Sequence, residues 1–280
     1  MKSVNSKIFS LFMIAQVFLS ALIFLQSLSY AQEKNLWNNK KCAVALTYDD
    51  ALNIHLDKVI PLLDSLNFRA TFYIPGNSSA FKNRIQDWAL ASKNGHELGN
   101  HTLFHPCAGN MQGREWVKPE YDLNSYTLQR ITDEIEMTNV LLGAIDGKKN
   151  RTFAYTCGDM KVGDTSFVDI VKKYFVAARG VGGIIQKIDE IDLFNIGCYM
   201  VNGQSGEDLI ELVKKAMNEN ALLVFLFHGV GGEHSINVSS EAHRKLLYFL
   251  KQNEKDIWVA PLIDIGEYLT NYHDIKKSAK

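Results

Sequence analysis

Three short segments of the chain carry side chains that together could bind a metal ion and hydrolyse a bond. Residues 47–50 (Thr-Tyr-Asp-Asp) place two adjacent carboxylates at the end of an apolar run. Residues 101–105 (His-Thr-Leu-Phe-His) place two imidazoles four positions apart, and residues 226–229 (Leu-Phe-His-Gly) place a single His after a second apolar run. Two His and one carboxylate can hold a divalent metal and leave positions open for water. The remaining Asp and His could act as base and acid, so the set predicts metal-assisted hydrolysis.

Each segment also has a simpler explanation. An Asp pair after a strand often caps the following helix, and Asp50 could cap a helix predicted from Asn53. The spacing of His101 and His105 would put both rings on one side of a helical turn, where such pairs are more often solvated or packed than metal-bound. A lone His such as His228 is usually structural. It is the combination of the three segments, each near the end of a predicted element, that favours a metal site.

Predicted strands and helices alternate along the chain. Apolar, β-prone runs predict strands at residues 42–48, 69–74, 151–156, 174–178, 194–201, 221–227 and 257–260. Apolar residues at helical spacing predict helices at residues 53–66, 79–93, 127–145, 206–218 and 239–251, the last with a capping box completed by Glu241. This alternation predicts an α/β fold with a parallel sheet, either open or closed into a barrel. In both forms the working groups lie at the carboxyl ends of strands, where Asp49, Asp50 and His228 are placed.

The N-terminal segment predicts export. Residues 1–31 combine a short basic start, with Lys2 and Lys7, a long apolar stretch, and small residues before Gln32. We expect a cleaved signal peptide and a single catalytic domain over residues 32–280. The alternative is an uncleaved membrane anchor, because the apolar stretch approaches the ~20 residues that span a bilayer. After cleavage we expect no stable membrane insertion and a periplasmic or extracellular protein. The net charge of -1, without a basic block, argues against nucleic acid as a partner.

These segments resemble the motifs of the polysaccharide deacetylase (NodB-homology) family of carbohydrate esterases. Residues 47–50 are similar to the family's Thr-Phe-Asp-Asp motif, residues 95–105 to its His-containing motif, and residues 226–229 to its last motif. The resemblance covers residues 41–268. It implies a distorted (β/α) barrel of about seven parallel strands and one divalent metal ion, usually zinc.

The resemblance also implies a role for each residue of the three segments. Asp50, His101 and His105 would be the metal ligands, Asp49 the general base and His228 the general acid.

The middle motifs depart from the family pattern. Where the family commonly has Phe-Arg-x-Pro-Tyr-Gly, residues 153–158 are Phe-Ala-Tyr-Thr-Cys-Gly, so Ala154 stands at the position of an Arg that normally supports the catalytic Asp. Arg179, after another predicted strand, could supply the missing charge, whereas the direction of Arg151 is not defined. The backbone N–H of Cys157 would help to bind the oxyanion, since any residue but Pro can donate that bond. The family's Asp-x-x-x-Trp partner for the acid His has no clear counterpart.

Further residues would form the substrate pocket. By the same resemblance, Leu226 would line the pocket for the acetyl methyl group. Residues 107–126, which include Trp116 and Tyr121, predict a loop over the site that serves as a sugar platform, with a packed surface loop as the alternative.

The four Cys are Cys42, Cys107, Cys157 and Cys198, and none forms a C-x-x-C pair. Cys107 lies two residues after a predicted ligand, and Cys157 lies in the segment of the oxyanion donor. If both segments converge on one metal, an exported protein could join these two Cys in a disulfide. Four buried free thiols are the alternative.

Three functions are consistent with these residues. The first is a hydrolase of carbon–nitrogen bonds that removes acetyl groups from N-acetylated sugars in a polysaccharide or oligosaccharide. The second is an O-acetyl esterase that acts on acetylated glycan with the same groups. The third is a carbohydrate-binding domain of this fold that has lost catalysis. The complete ligand and acid/base set favours an enzyme, while the altered middle motifs keep the third function open.

Overall fold

A curled β-sheet positions the three segments, and its central strand β1 (Cys42–Tyr48) ends directly before the two carboxylates. The computed structural model describes residues 36–278, together with Gln16, Leu19 and Ser20. The predicted signal peptide therefore lies almost wholly outside the described residues. β1 pairs in parallel with β10 (Ala221–Phe227), and every residue of both strands is buried. Such continuously apolar strands are typical of a parallel sheet that is covered on both faces.

The remaining strands of this sheet are short. They are β2 (Thr71–Ile74), β3 (Glu97–Asn100), β4 (Phe153–Ala154), β7 (Ala178–Arg179), β8 (Ile185–Lys187), β9 (Tyr199–Met200) and β13 (Ile257–Val259). Their order is β7-β4-β3-β2-β1-β10-β8, with β13 beside β1 and β9 beside β10. Among the described strands of this sheet, only the β10–β8 pairing is antiparallel. Two small pairs lie outside it: β5 (Lys161–Val162) with β6 (Thr165–Ser166), and β11 (Gly229–Val230) with β12 (Asn237–Val238).

The two sides of the sheet approach each other through residues 196–200. Ile196 forms a parallel bridge with Arg179 of β7, with its N–H donating to Ala178 O at 2.9 Å. Three residues later, Tyr199 pairs with Phe225 of β10. Two isolated bridges, Arg179 with Ile196 and Gly182 with Cys198, thus join the two sides of the sheet. The predicted α/β fold with a distorted (β/α) barrel is confirmed, with seven strands along the main path of the sheet.

The α-helices pack around this sheet. In chain order they are α1 (Ile60–Ser65), α2 (Ser79–Asn83), α3 (Ile85–Lys93), α4 (Leu128–Asp146), α5 (Val168–Tyr174), α6 (Gly206–Glu219), α7 (Ser240–Gln252) and α8 (Leu262–Ser278). A π-helical turn (His55–Val59) precedes α1, and short 3-10 turns occur at Pro119–Tyr121, Leu123–Ser125, Thr156–Gly158 and Ile188–Glu190. None of the helices in the described part of the chain is long and apolar enough to cross a membrane.

Two local helix predictions need correction. The single helix predicted over residues 79–93 is two helices, because Arg84 leaves the helical region with φ -133° and ψ 36°. The capping box predicted with Glu241 does not form: the Ser239 side chain accepts from the N–H of Ala242, so Glu241 lies one position too early in the turn.

The alternation of side chains along β1 connects the core to the site. Val44, Leu46 and Tyr48 pack in the largest apolar cluster, whereas Ala43 and Ala45 pack in a second cluster that includes residues of α8. Successive side chains in a strand point to opposite faces, so Asp49 continues the face of the two Ala residues. In the same way, Leu226 belongs to the second cluster with Leu222 and Val224, four and two residues earlier in β10.

Candidate active site

A cavity of about 180 Å³ lies where the strand ends meet. Of the ten predicted site residues, nine line it: Asp49, Asp50, His101, His105, Trp116, Cys157, Arg179, Leu226 and His228. Tyr121 is the exception, because its ring instead stacks on Phe104 with the ring centroids 5.5 Å apart. Residues distant in sequence thus converge at one end of the barrel.

The three predicted metal ligands lie together. The ligand atoms of Asp50, His101 and His105 are all within 4.8 Å of one another. Asp50 Oδ1 is 3.9 Å from His101 Nε2 and 3.4 Å from His105 Nε2. The predicted helical turn does not form between the two His residues. The segment is a loop in which Thr102 and His105 have left-handed φ angles of 61° and 55°, and Thr102 Oγ1 accepts from the N–H of His105 at 3.0 Å.

The orientation of His101 suits a metal ligand. Its Nδ1 lies 2.8 Å from Ala154 O, and because a carbonyl oxygen can only accept, Nδ1 carries the proton. The neutral ring therefore presents the lone pair of Nε2 towards the carboxylates. Burial lowers the pKa of His101 to about 4, although the Asp49 carboxylate opposes the effect, so the ring is neutral near pH 7. The residues present fit a divalent metal held by two imidazoles and one carboxylate.

Asp49 has a buried cationic partner. Arg179 Nη2 lies 2.5 Å from Asp49 Oδ2, and both side chains are almost fully buried. Burial by itself would raise the pKa of Asp49, but the Arg179 guanidinium, with His101 and His228, holds it below the ordinary value. Asp49 Oδ1 has no hydrogen-bond partner among the described residues. A carboxylate with a lowered pKa thus has one oxygen held by Arg179 and the other free to accept a proton.

Arg179 therefore lies where the family pattern requires a cation. Arg151, the other candidate, pairs with Asp146 at 3.2 Å and donates to Leu98 O at 2.7 Å, so it does not contact Asp49.

His228 lies opposite the two predicted ligand imidazoles. Its Nε2 is 3.9 Å from Asp50 Oδ2, and its carbonyl oxygen accepts from His55 Nε2 at 2.8 Å, which holds the backbone in place. Burial lowers the pKa of His228, while Asp49 and Asp50 oppose that effect. Its Nδ1 is buried without a partner among the described residues, consistent with the missing Asp-x-x-x-Trp segment.

The structure adds a site residue that the sequence analysis missed. His234 lines the cavity, its Nε2 lies 3.6 Å from Asp50 Oδ2, and its ring stacks on His228 with centroids 4.6 Å apart at an interplanar angle of 14°. The available clue in the sequence was a second His six residues after His228, beyond a Gly-rich turn.

The loop over the site is fastened to the segment of the predicted oxyanion donor. Cys107 and Cys157 form a disulfide, with their Cα atoms 5.8 Å apart. A disulfide between these two residues is one of the two alternatives that the sequence predicts for the Cys residues. Arg114 adds an ion pair with Asp159 at 2.5 Å and donates to Cys157 O at 3.0 Å. Trp116, which is 60% exposed, lies at the cavity mouth on this loop.

The comparisons with known proteins agree with this geometry. The family model described as polysaccharide deacetylase matches residues 37–175, which contain the ligand segments. The peptidoglycan-N-acetylmuramic acid deacetylase of Bacillus subtilis is 28% identical over 119 residues, 42% of this chain and 39% of that protein. The peptidoglycan-N-acetylglucosamine deacetylase of Bacillus cereus is 34% identical over 90 residues, 30% of this chain and 32% of that protein. This chain spans between 7% and 39% of the length of the curated relatives that it matches.

A solved structure from Mycobacterium smegmatis, a candidate polysaccharide deacetylase, shares the fold. It superposes with a TM-score of 0.60 over 84% of this chain and 92% of that chain, at 14% identity. At this identity the likeness is one of fold. The matched family model, with the motif residues gathered at one cavity, shows that this chain belongs to the polysaccharide deacetylase family.

Proposed function

We propose that this protein is a metal-dependent hydrolase that removes acetyl groups from N-acetylated sugars in a polysaccharide or oligosaccharide. The observation that carries the proposal is the complete arrangement at the cavity. Three ligand groups lie within 4.8 Å of one another, with an Arg-supported carboxylate on one side and an imidazole on the other. The names of the two peptidoglycan deacetylase relatives support an N-acetyl substrate over an O-acetyl one.

Asp50, His101 and His105 would hold the metal, for which we propose zinc because two imidazoles and a carboxylate suit it. A bound divalent ion would lower the pKa of water towards neutrality and polarise the substrate carbonyl. Asp49 then removes the proton from the attacking water through its free oxygen, while Arg179 keeps the carboxylate ionised.

The remaining groups act on the substrate. His228 donates a proton to the sugar nitrogen as it leaves. Burial lowers the pKa of this ring, and the two nearby carboxylates oppose that effect. The backbone N–H of Cys157 supports the oxyanion. Leu226, which is buried against the cavity, packs on the acetyl methyl group, and the exposed ring of Trp116 offers a surface on which a sugar can stack.

We also propose that the protein is exported. The basic and apolar pattern of residues 1–31 supports a signal peptide, and the Cys107–Cys157 disulfide suits an oxidising compartment.

The test is to measure metal content and acetate release on the same purified protein. The substrates are chito-oligosaccharide and peptidoglycan, which carry N-acetyl groups, and acetylated xylan, which carries O-acetyl groups. We expect one metal per chain and acetate from an N-acetyl substrate. His101→Ala should lose both metal and activity, whereas Asp49→Asn should keep the metal and lose orders of magnitude in rate.

Three other results would contradict the proposal. Full activity in metal-free protein would exclude the metal-dependent mechanism. Acetate from xylan alone would identify an O-acetyl esterase. A metal-loaded protein that binds these glycans and releases no acetate would be a carbohydrate-binding domain with lost catalysis.

A further inference from the structure

The two oxygens of Asp50 face different groups. Oδ1 lies towards the ligand imidazoles of His101 and His105, at 3.9 and 3.4 Å. Oδ2 lies towards His234 at 3.6 Å and His228 at 3.9 Å. A carboxylate that binds a metal through one oxygen is commonly held through the other, and such outer contacts set the orientation of the ligand.

The protonation of the His234 ring follows from its backbone contacts. The N–H of Ile236 donates to His234 Nδ1 at 3.0 Å, which requires a lone pair on that nitrogen. Ile236 O is 3.2 Å from the same atom, but a hydrogen on Nδ1 would lie against the N–H of Ile236, which points at this nitrogen. In a neutral imidazole one nitrogen accepts and the other donates, so Nε2 carries the hydrogen. This hydrogen is on the nitrogen that is nearest to Asp50.

The loop that carries His234 is fixed to the turn that carries Asp50. Glu233 Oε2 accepts from the N–H of Ile54 at 2.5 Å, and its Oε1 accepts from Asn53 Nδ2 at 3.3 Å. Glu233 itself has a left-handed φ of 65°, a conformation that a non-Gly residue keeps only where its surroundings impose it. The position of His234 beside Asp50 is therefore defined by the contacts of Glu233 with Asn53 and Ile54 and by the N–H of Ile236.

We infer that His234 is a positioning residue for the metal ligand Asp50, towards whose second oxygen it directs its Nε2–H. The inference rests on the proposed metal site. Because Nε2 carries a hydrogen, His234 faces the carboxylate with a donor atom 3.6 Å from Oδ2, which is longer than a direct hydrogen bond, and it is not a fourth ligand. His234 also stacks face to face on His228. The test must therefore separate the effect of losing the Nε2–H donor from the effect of losing this ring contact.

Two substitutions make this separation. His234→Phe keeps a flat ring against His228 and removes the donor, whereas His234→Gln removes the ring and keeps an amide N–H near the position of Nε2. His234→Leu is a second variant without the donor. His273→Phe is the matched control, because His273 lies on α8 near Ile188 and outside the cavity.

The readout is zinc affinity, measured by competition with a chromophoric chelator, with circular dichroism as the check on folding. We expect His234→Phe and His234→Leu to bind zinc about 10–100-fold more weakly, the usual effect of losing such an outer contact. His234→Gln should stay close to wild type, and His273→Phe should equal it. The absorption spectrum of the cobalt(II)-loaded protein should keep its shape in every variant, because the ligands are unchanged.

Three results would overturn the inference. They are wild-type affinity in His234→Phe, equal weakening in His234→Phe and His234→Gln, and a cobalt spectrum whose shape changes with the substitution, since the last would make His234 a ligand. The titration uses no substrate, so it separates this inference from the proposed function. A protein that binds zinc with the expected pattern but releases no acetate would contradict only the proposed function.

Discussion

The buried pair of Arg179 and Asp49 gives the most direct prediction about the site. Replacing Arg179 with Met keeps an apolar stem of similar length but leaves the Asp49 carboxylate without its cation. The two groups are 2.5 Å apart and nearly inaccessible to water. At an effective dielectric constant near 20, two unit charges about 4 Å apart interact by about 4 kcal/mol. Removing one partner of a buried pair costs about 3–5 kcal/mol, so the two estimates agree.

The assay is a double-mutant cycle in urea unfolding. Arg179→Met and Asp49→Asn should each lower the free energy of unfolding by about 3–5 kcal/mol, because each leaves one buried charge unpaired. The double variant leaves no charge unpaired, so its loss should be clearly smaller than the sum of the two single losses. For a domain of this size, Arg179→Met should lower the melting temperature by roughly 6–20 °C.

Arg179 also makes contacts that the cycle must separate from the ion pair. Its guanidinium lies 5.0 Å from the ring centroid of Tyr73, and it donates to Cys198 Sγ at 3.5 Å. These contacts are lost in both Arg179 variants and so cancel in the coupling energy. Lys214→Met, which breaks an exposed pair with Glu211, is the control and should change little. Additive losses in the cycle would refute the assignment of Arg179 as the partner of Asp49.

Three further predictions concern the acid, the disulfide and a buried histidine. His228→Ala should slow acetate release from an amide substrate more than from an activated ester, whose leaving group needs less protonation, and equal losses would contradict its role as acid. Replacing Cys107 and Cys157 with Ser opens the loop that the disulfide closes between residues 50 positions apart. The free energy of unfolding should fall by about 4 kcal/mol, and an unchanged thermal unfolding curve would contradict this prediction. Burial lowers the pKa of His243 from 6.5 to about 3. Between these two pH values only the unfolded chain binds a proton at His243, so the free energy of unfolding should fall as the pH drops from 6.5 towards 3. Between pH 7 and 5 the wild type should lose roughly 2 kcal/mol more than His243→Leu in urea unfolding, and equal losses would contradict this reasoning.

The long elements of the fold could be predicted closely because their own residues determine them. The strands at residues 42–48 and 221–227 agree with β1 and β10 to the residue. The helix predicted at residues 206–218 agrees with α6 within one residue, since an apolar stripe and a capping box at Ser205 mark it. The burial of its own continuous apolar run or stripe determines where each of these elements begins and ends, largely independently of the elements that pack beside it.

The short strands could not be predicted in the same way. The runs at residues 151–156 and 194–201 contain strands of only two residues, Phe153–Ala154 and Tyr199–Met200. The extent of a short strand depends on which backbone lies beside it, and that follows from the path of the whole sheet. The loop between His101 and His105 is a similar case, because its left-handed residues are held by contacts rather than by local propensity.

The same distinction separates the predicted site residues from the missed one. Asp49, Asp50 and His228 follow long strands, so their position at the end of the sheet could be inferred from periodicity alone. His234 instead reaches the cavity because a Gly-rich turn folds back and β11 pairs with β12. Tyr121 shows the converse, since an aromatic residue in a loop was expected at the cavity and packs on Phe104 instead.

The resemblance implies that Ala154 stands at the position of the family's supporting Arg, so in this chain the charge beside Asp49 comes from a different place in the sequence. Ala154 and Arg179 are register partners in the parallel pairing of β4 with β7. Neighbouring strands lie about 4.8 Å apart, so an Arg side chain that starts one strand away can still reach the end of β1. The general base proposed here, Asp49, requires a buried cation at that level of the barrel, and Arg179 meets this requirement with a contact of 2.5 Å. The altered middle motif is therefore compatible with a supported base, because the register of the sheet rather than the position in the motif decides which side chain reaches Asp49.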